Sequence, residues 1–143
     1  MSAPYDQPPT FDRTPVVLIA DDHPLFAQAV GHALSDWSFE VLEPARNGAE
    51  AVEVAAEHRP DVILMDVHMP VLDGIEATRR VRMCAPETRV IAITSDDAPA
   101  ITAAMRHAGA SSVLLKTCAA DELLDAVSRA AAEVVPFHFA GAA

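Results

Sequence analysis

Oxygen-bearing and cationic side chains stand where the short apolar runs of this sequence end. These side chains belong to Asp21, Asp22, Asp66, Thr94 and Lys116. Two carboxylates about 4 Å apart repel each other by roughly 4 kcal/mol at an effective dielectric constant of about 20, so three of them together need compensating positive charge. Lys116 is the only lysine of the chain and supplies one such charge. A magnesium ion, which takes carboxylate ligands while keeping several waters, would supply the rest.

Transfer of a phosphoryl group to Asp66 is the chemistry that this set of side chains suits best. Asp66 directly follows four apolar residues, 62–65, so we expect its carboxylate to be half buried. The lysine and the metal would offset the charge on the equatorial oxygens of the phosphoryl group, and the Thr94 hydroxyl would donate a hydrogen bond to one of them. A simpler role as a helix cap stays open for Asp22.

Five short apolar runs alternate with five amphipathic stretches, and these elements must position the side chains. The runs cover residues 16–20, 40–43, 62–65, 90–93 and 112–115, and the helix-like stretches cover residues 24–35, 49–58, 75–83, 99–108 and 119–132. Four runs are nearly continuous in hydrophobic residues, which is typical of parallel strands covered on both faces, whereas the second alternates with glutamates like an edge strand. The pattern predicts an α/β fold of the flavodoxin-like type, a (βα)5 doubly wound parallel sheet with strand order 2-1-3-4-5. In such folds the functional residues lie at the carboxyl ends of the parallel strands.

The length and composition favour one folded domain with short flanks. The chain has 143 residues, of which 51% are hydrophobic and 22% charged, enough for one core. We expect a flexible, proline-rich lead over residues 1–14, the folded domain over residues 15–133, and a tail or truncated linker over residues 134–143. The lead lacks the basic start of a signal peptide, and no run of about twenty apolar residues predicts a membrane anchor.

The net charge and the cysteine content limit which binding partners and which cellular compartment we expect for the protein. The formal net charge of −11 argues against direct contact with the phosphate backbone of nucleic acids or with an anionic membrane surface. The two cysteines, Cys84 and Cys118, are too few for a disulfide framework and favour the reducing cytoplasm. The six histidines show no metal-ligand spacing, so no zinc site is expected, and only His68 is expected beside the site.

Four motifs resemble those of the receiver domains of two-component response regulators. They are Ala-Asp-Asp-His-Pro at 20–24, Leu-Met-Asp-Val-His-Met-Pro at 64–70, Ile-Thr-Ser at 93–95 and Leu-Leu-Lys at 114–116. The resemblance covers residues 15 to 132, with every motif at the expected strand end. The first motif, and the threonine that follows Lys116, are similar to the NarL/FixJ (LuxR-type) subgroup.

The resemblance implies a role for each residue of the cluster. It implies that Asp66 accepts a phosphoryl group from a histidine kinase or a phosphotransfer protein. The implied magnesium ligands are Asp21, Asp22, Asp66 and the backbone carbonyl of His68. Lys116 would contact the phosphoryl group, and Thr94 would move toward it to report the phosphorylated state. The chain would then be a signalling switch in transcription regulation rather than an enzyme, with at most self-catalysed phosphotransfer and slow autodephosphorylation.

Two positions depart from the family pattern. Val113 stands where many receiver domains have the aromatic residue that swings inward as the threonine moves, and valine is too short for such a swing. Thr117 replaces the proline that commonly follows the lysine. Relatives of the NarL/FixJ type usually continue into a DNA-binding domain, so DNA would be contacted only through such an output domain, while homodimerisation is a further expectation.

Two other functions compete with the phosphorylated switch. Val113 suits a receiver-like interaction module that works without phosphorylation. A haloacid-dehalogenase-type phosphatase also uses an aspartate at a strand end with magnesium, but it needs a second aspartate two residues later, where this chain has His68.

Overall fold

A five-stranded parallel sheet forms the centre of the molecule, seen in a computed structural model that describes residues 10–138. Numbered along the chain, the strands are β1 Thr10–Phe11, β2 Val16–Ala20, β3 Glu40–Val41, β4 Val62–Asp66, β5 Arg89–Thr94, β6 Ser112–Leu115 and β7 Phe137–His138. The central sheet has the order β3-β2-β4-β5-β6, and every neighbouring pair is parallel. Counted without the flanking strand β1, this is the predicted order 2-1-3-4-5, so the flavodoxin-like prediction is confirmed.

Five helices alternate with these strands, each within one residue of its predicted bounds. They are α1 Pro24–Asp36, α2 Gly48–His58, α3 Gly74–Cys84, α4 Pro99–Ala108 and α5 Ala120–Ala132. Pro24 and Pro99 begin α1 and α4, because proline suits the first turn, where its missing N–H is not needed. The side chains of Asn47 and Asp73 cap α2 and α3, each accepting a hydrogen bond from the backbone N–H three residues on. Gly109 ends α4 in the left-handed region with φ of 117°.

The helices cover both faces of the sheet, which explains why the strands are almost continuously hydrophobic. Leu18, Ile63 and Met65 point to the face packed by α2, α3 and α4. Ile19 and Leu64 point to the other face, packed by α1 and α5. Burial of each of these aliphatic side chains contributes about 1.5 to 3 kcal/mol to the stability of the fold. Successive residues of a strand point to opposite faces, so packing against helices stabilises both faces of the sheet.

The strand predicted over residues 40–43 is shorter than expected. Regular pairing of β3 with β2 ends at Val41, although the N–H groups of Leu42 and Ala45 still donate to the carbonyl oxygens of Val17 and Ile19. Pro44 lies between these two donors and has no N–H of its own, so the ladder is interrupted there.

The described parts of the two flanks pair with each other. Strands β1 and β7 form a two-stranded antiparallel ribbon, in which Thr10 lies opposite His138 and Phe11 opposite Phe137. The ring of Phe11 also lies 6.0 Å from the ring of Phe39, between centroids, at the edge of the core. Residues 10–14, which fall within the lead expected to be flexible, contact the rest of the chain, because Phe11 packs against apolar partners that are distant in the sequence. Residues 1–9 and 139–143 lie outside the described part of the chain, and the domain boundaries at 15 and 133 stay predictions.

An ion pair between the exposed Arg13 and the buried Asp61 ties the lead to the amino edge of the sheet. The Arg13 guanidinium donates to both carboxylate oxygens of Asp61, at 2.7 and 2.8 Å. One of these oxygens also accepts a hydrogen bond from the backbone N–H of Val16, at 2.8 Å. No helix between residues 10 and 138 combines the length and the apolar character that crossing a lipid bilayer requires.

Candidate functional site

The carboxyl ends of three strands bring the predicted charged residues together. Asp21 follows β2, Asp66 is the last residue of β4, and Lys116 follows β6. The register pairs Ala20 with Met65, so Asp21 and Asp66 lie at the same level of adjacent strands. Both carboxylates are buried, with 2% of each residue exposed. Asp22 lies beside them at the surface.

Lys116 connects the two buried carboxylates. Its Nζ lies 2.8 Å from Oδ2 of Asp21 and donates a hydrogen bond of 3.3 Å to Oδ2 of Asp66. The ammonium also lies 4.8 Å from the centroid of the Phe26 ring, close enough for a cation–π contact. These three partners fix the lysine over the acidic cluster and leave its side chain only 14% exposed.

The balance of charge at this edge stays negative. Burial raises the pKa of the Asp66 carboxyl above its ordinary value, and the neighbouring Asp21 charge raises it further, against a lowering by Lys116. Three carboxylates face one ammonium, which leaves an excess of two negative charges. An excess of this size matches a divalent cation with oxygen ligands.

Two observations show that the donor set fits a divalent cation. Ligand atoms of four residues, Asp21, Asp22, His23 and Asp66, all lie within 4.8 Å of one another. Oδ2 of Asp21 is buried and, among residues 10–138, accepts no hydrogen bond, because Lys116 approaches it outside hydrogen-bond geometry. The helix-cap role left open for Asp22 is not observed, since the N-cap residue of α1 is His23 and makes no side-chain cap.

His23 is the pocket residue that the sequence analysis missed. Its Nδ1 lies 2.9 Å from Oδ1 of Asp21, 3.2 Å from Oδ1 of Asp22 and 3.9 Å from Oδ2 of Asp66. It also lies 3.1 Å from Nζ of Lys116. The available signal was adjacency, because a side chain that directly follows two clustered aspartates at a strand end must stay near them.

His68 approaches the site through its backbone rather than its side chain. Its backbone N–H lies 3.4 Å from Oδ1 of Asp66, and its imidazole is exposed. Thr94 is buried at the end of β5, but its hydroxyl contacts Asp96 instead of the carboxylates. It accepts a hydrogen bond of 3.0 Å from the N–H of Asp96 and donates one of 3.3 Å to the carbonyl oxygen of the same residue.

The loop between β4 and α3 holds the Asp66 backbone closely. A side-chain carbon at Gly74 would overlap the carbonyl oxygen of Asp66, so only glycine fits there. Within the loop, the N–H of Leu72 donates to the carbonyl oxygen of Pro70, at 2.8 Å. The residue between them, Val71, has φ of 70°, the strained form of the γ-turn for a β-branched residue.

Val113 and the two thiols lie at half-buried positions, whereas Thr117 is exposed. Val113 pairs with Ala92 and packs against the core beneath α4. Cys84 and Cys118 are free thiols, and burial raises the pKa of Cys118 above its ordinary value. Neither thiol belongs to the acidic cluster.

Comparisons with known proteins agree with this arrangement. Residues 17–128 match the family model of the response regulator receiver domain. The chain is 41% identical over 112 residues to the transcriptional regulatory protein NarL of Mycobacterium tuberculosis, covering 78% of this chain and 52% of that protein. It is 38% identical over 112 residues to the transcriptional regulatory protein DegU of Brevibacillus brevis, covering 78% of this chain and 48% of that protein. The chain thus spans about half the length of these curated relatives.

A solved structure shares the fold as well as the sequence. The signal receiver domain of a NarL response regulator from Mycobacterium tuberculosis superimposes with a TM-score of 0.80 at 39% identity, covering 84% of this chain and 98% of that domain. The family model covers most of the chain, and the motifs at its strand ends form one acidic pocket. The chain therefore belongs to the receiver-domain family of two-component response regulators, with relatives of the NarL type.

Proposed function

We propose that Asp66 of this receiver domain accepts a phosphoryl group from a histidine kinase or a phosphotransfer protein, in a magnesium-dependent reaction. The observation that carries the proposal is the placement of the Asp66 carboxylate. It is buried beside a second buried carboxylate, that of Asp21, and the ammonium of Lys116 lies between the two. A nucleophile held beside fixed positive charge suits transfer of an anionic group.

Asp66 acts as the nucleophile. A carboxylate oxygen of Asp66 attacks phosphorus, the bond between phosphorus and the donor histidine nitrogen breaks, and its electron pair returns to the donor imidazole. The product is an acyl phosphate on Asp66. Only 2% of this residue is exposed, so water reaches the anhydride slowly. Slow hydrolysis suits a signalling switch whose own chemistry is at most self-catalysed phosphotransfer and slow autodephosphorylation.

The remaining charged residues compensate the incoming negative charge. The proposed magnesium ligands are Asp21, Asp22, Asp66 and the backbone carbonyl of His68. When bound, the metal supplies positive charge to the phosphoryl oxygens. Lys116 already lies 3.3 Å from Oδ2 of Asp66 and pairs with a phosphoryl oxygen after the transfer.

Thr94 reports the phosphorylated state by changing its hydrogen-bond partner. Its hydroxyl leaves the backbone of Asp96 and donates to a phosphoryl oxygen, so the loop that begins at residue 95 shifts with it. Val113 is too short to fill the space with a moving ring. The signal therefore travels through this loop and the adjoining start of α4.

The proposed output is transcription regulation, since the relatives NarL and DegU are transcriptional regulatory proteins. The relatives are about twice as long as the matched region, so DNA contact belongs to an output domain rather than to the described residues. Homodimerisation of the phosphorylated domain and a cytoplasmic location are part of the same proposal.

An interaction module that works without phosphorylation is the second candidate, favoured by Val113 at the position of the moving ring. Magnesium affinity separates the two. A phosphorylated switch binds magnesium in a manner that Asp22→Asn weakens, whereas a module that has lost its chemistry binds none.

Intact-mass measurement after incubation with acetyl phosphate and magnesium tests the proposal. The protein gains the mass of one phosphoryl group, and Asp66→Asn gains none. Asp97→Asn, which removes an exposed loop carboxylate, is the matched control and labels like the unaltered protein. Labelling of Asp66→Asn to the same extent as the unaltered protein would contradict the proposal.

A further inference from the structure

We infer that Phe26 is a positioning residue for phosphoryl transfer to Asp66, and that it acts through the ammonium of Lys116. The inference rests on the proposed function, because it adds a residue to the same reaction. Phe26 lies outside the motifs from which the site was predicted. Its side chain has no polar atom, so it neither holds a metal nor moves a proton, and its part in the reaction is to place the lysine.

The reaction depends on where the ammonium of Lys116 lies. It must stay within hydrogen-bond distance of Asp66 while an anionic phosphoryl group arrives, because a displaced charge no longer compensates the transition state. A lysine carries its charge on a flexible four-carbon stem, so contacts with neighbouring residues have to hold it. The chain has no second lysine that could take over this role.

The two buried carboxylates alone leave the ammonium more than one position. Nζ of Lys116 lies 2.8 Å from Oδ2 of Asp21 but donates its hydrogen bond to Oδ2 of Asp66, at 3.3 Å. A small rotation of the lysine would give the hydrogen bond to Asp21 and take it from Asp66. Nδ1 of His23 is a further neighbour of Nζ, at 3.1 Å, but that side chain is 64% exposed and less restrained by packing.

The ring of Phe26 supplies a contact that fixes the ammonium. Nζ of Lys116 lies over the ring, 4.8 Å from its centroid, and the negative face of an aromatic ring attracts a cation within about 6 Å. The ring is half buried and packs against the core on the side of the sheet covered by α1 and α5. Because only 14% of the lysine side chain is exposed, water weakens this attraction little.

An apolar groove beside the ring shows that packing alone does not hold it. The groove has a volume of about 190 Å³ and is lined by Phe26 and Lys116 together with Leu115, Cys118 and Leu123. A closely packed core would fill such a space, so the ring is not enclosed on every side. The attraction between ring and ammonium therefore orients both side chains. The groove also gives room for the larger indole of Phe26→Trp.

Replacement of Phe26 by phenylalanine analogues with increasing numbers of ring fluorine atoms tests the inference. Fluorine withdraws electron density from the face of the ring and barely changes its shape, so the cation–π contact weakens while the packing stays. We expect the rate at which acetyl phosphate labels the full chain, at saturating magnesium, to fall with each added fluorine. The most fluorinated ring and Phe26→Leu lower the rate by about tenfold, equivalent to about 1.4 kcal/mol. Phe26→Trp, whose ring binds cations most strongly, keeps the rate within about twofold.

Two controls separate positioning of the lysine from a general loss of structure. Magnesium affinity, measured by calorimetry, changes by less than about twofold in every Phe26 variant. Trp37→Leu removes another half-buried ring, at the far end of α1, and is labelled at the rate of the unaltered protein.

Three results overturn the inference. They are a labelling rate that does not depend on fluorination, a loss in Phe26→Trp as large as in Phe26→Leu, and a loss in Trp37→Leu as large as in Phe26→Leu. Labelling of the unaltered protein distinguishes the two proposals. If it is labelled at a rate indifferent to the ring of Phe26, the inference fails alone, whereas absence of labelling defeats the proposed function.

Discussion

Nζ of Lys116 lies 2.8 Å from Oδ2 of Asp21, a buried oxygen that accepts no hydrogen bond from the described residues. The lysine is placed between two carboxylates and directs its hydrogen bond at Asp66 instead. One ammonium therefore serves two buried anions and satisfies neither completely. The arrangement predicts how stability responds when any of the three charges is changed.

Removing the ammonium should destabilise the metal-free domain. Lys116→Met keeps the apolar stem but leaves Asp21 and Asp66 buried without a cation, and breaking a buried ion pair costs about 3 to 5 kcal/mol. Urea unfolding of the two proteins checks this, with Lys116→Arg as the control that keeps the charge. Addition of magnesium should recover part of the loss. A free energy of unfolding equal to that of the unaltered protein would mean that the carboxylates do not need the lysine.

Removing the charge of Asp66 should have the opposite effect. Asp66→Asn relieves repulsion from Asp21 while keeping the shape of the side chain, so the metal-free domain should gain about 1 kcal/mol. The measurement is urea unfolding with a chelator present. Asp97→Asn, at an exposed loop position, should change the free energy of unfolding little. Lower stability of Asp66→Asn would show that Lys116 outweighs the repulsion.

The raised pKa of Asp66 also predicts a pH dependence. The folded state binds this proton more tightly than the unfolded state, whose carboxyl pKa is about 3.9. Ionisation of Asp66 therefore lowers stability as pH rises from the unfolded pKa through the higher folded pKa, and the effect is constant above that. The difference in free energy of unfolding between Asp66→Asn and the unaltered protein should grow over this window, without metal. A difference that stays flat or shrinks would be inconsistent with a raised pKa.

The strained turn after β4 offers a stabilising substitution. Val71 has φ of 70° and is 82% exposed, so its side chain contributes little packing against the strain. Val71→Asn should raise the free energy of unfolding by about 1 kcal/mol, because asparagine tolerates this backbone conformation better than a β-branched residue. Leu25→Asn, at an equally exposed position with helical backbone, should give no gain. Unfolding in urea compares the two, and an equal effect at both positions would rule out backbone strain as the cause.

The ribbon of β1 and β7 should depend on Phe11. Phe11→Ala removes the ring contacts with Phe39 and Phe137, which fasten β1 to the core and to β7. The N–H of Asp12 donates to the carbonyl oxygen of Pro136 at 2.8 Å, so its hydrogen exchange reports the ribbon. Exchange at Asp12 should quicken several-fold in Phe11→Ala, while exchange within β4 stays as it was. Unchanged protection at Asp12 would show that the backbone pairing holds without the ring.

Local patterns were sufficient to predict most of the fold. Pro24 and Pro99 begin helices, and Gly109 ends one, because of their own backbone preferences. These helix ends can therefore be predicted without knowledge of the tertiary structure. The hydrophobic runs predicted the sheet because both of its faces are covered. The same topology was enough to bring Asp21, Asp66 and Lys116 together, as the contacts described above confirm.

The features that escaped prediction depend on contacts across the chain. The ribbon depends on contacts of Phe11 with Phe39 and Phe137, which are distant in the sequence. No local sequence pattern predicts such contacts. His23 looked like part of a helix start, and only the geometry of α1 turns its imidazole into the pocket. The left-handed backbone of Val71 is imposed by the loop that closes over Asp66, against the preference of valine itself.

The pairing of Thr10 with His138 places the two described ends of the domain side by side, next to the ion pair of Arg13 with Asp61. That corner lies at the opposite end of the strands from Asp66, a span of about 16 Å for five residues at about 3.3 Å each. The length of the central strands therefore separates Asp66 from the ends of the domain that pair in β1 and β7. A conformational change that begins at phosphorylated Asp66 must pass through the sheet or along the helices to reach those ends.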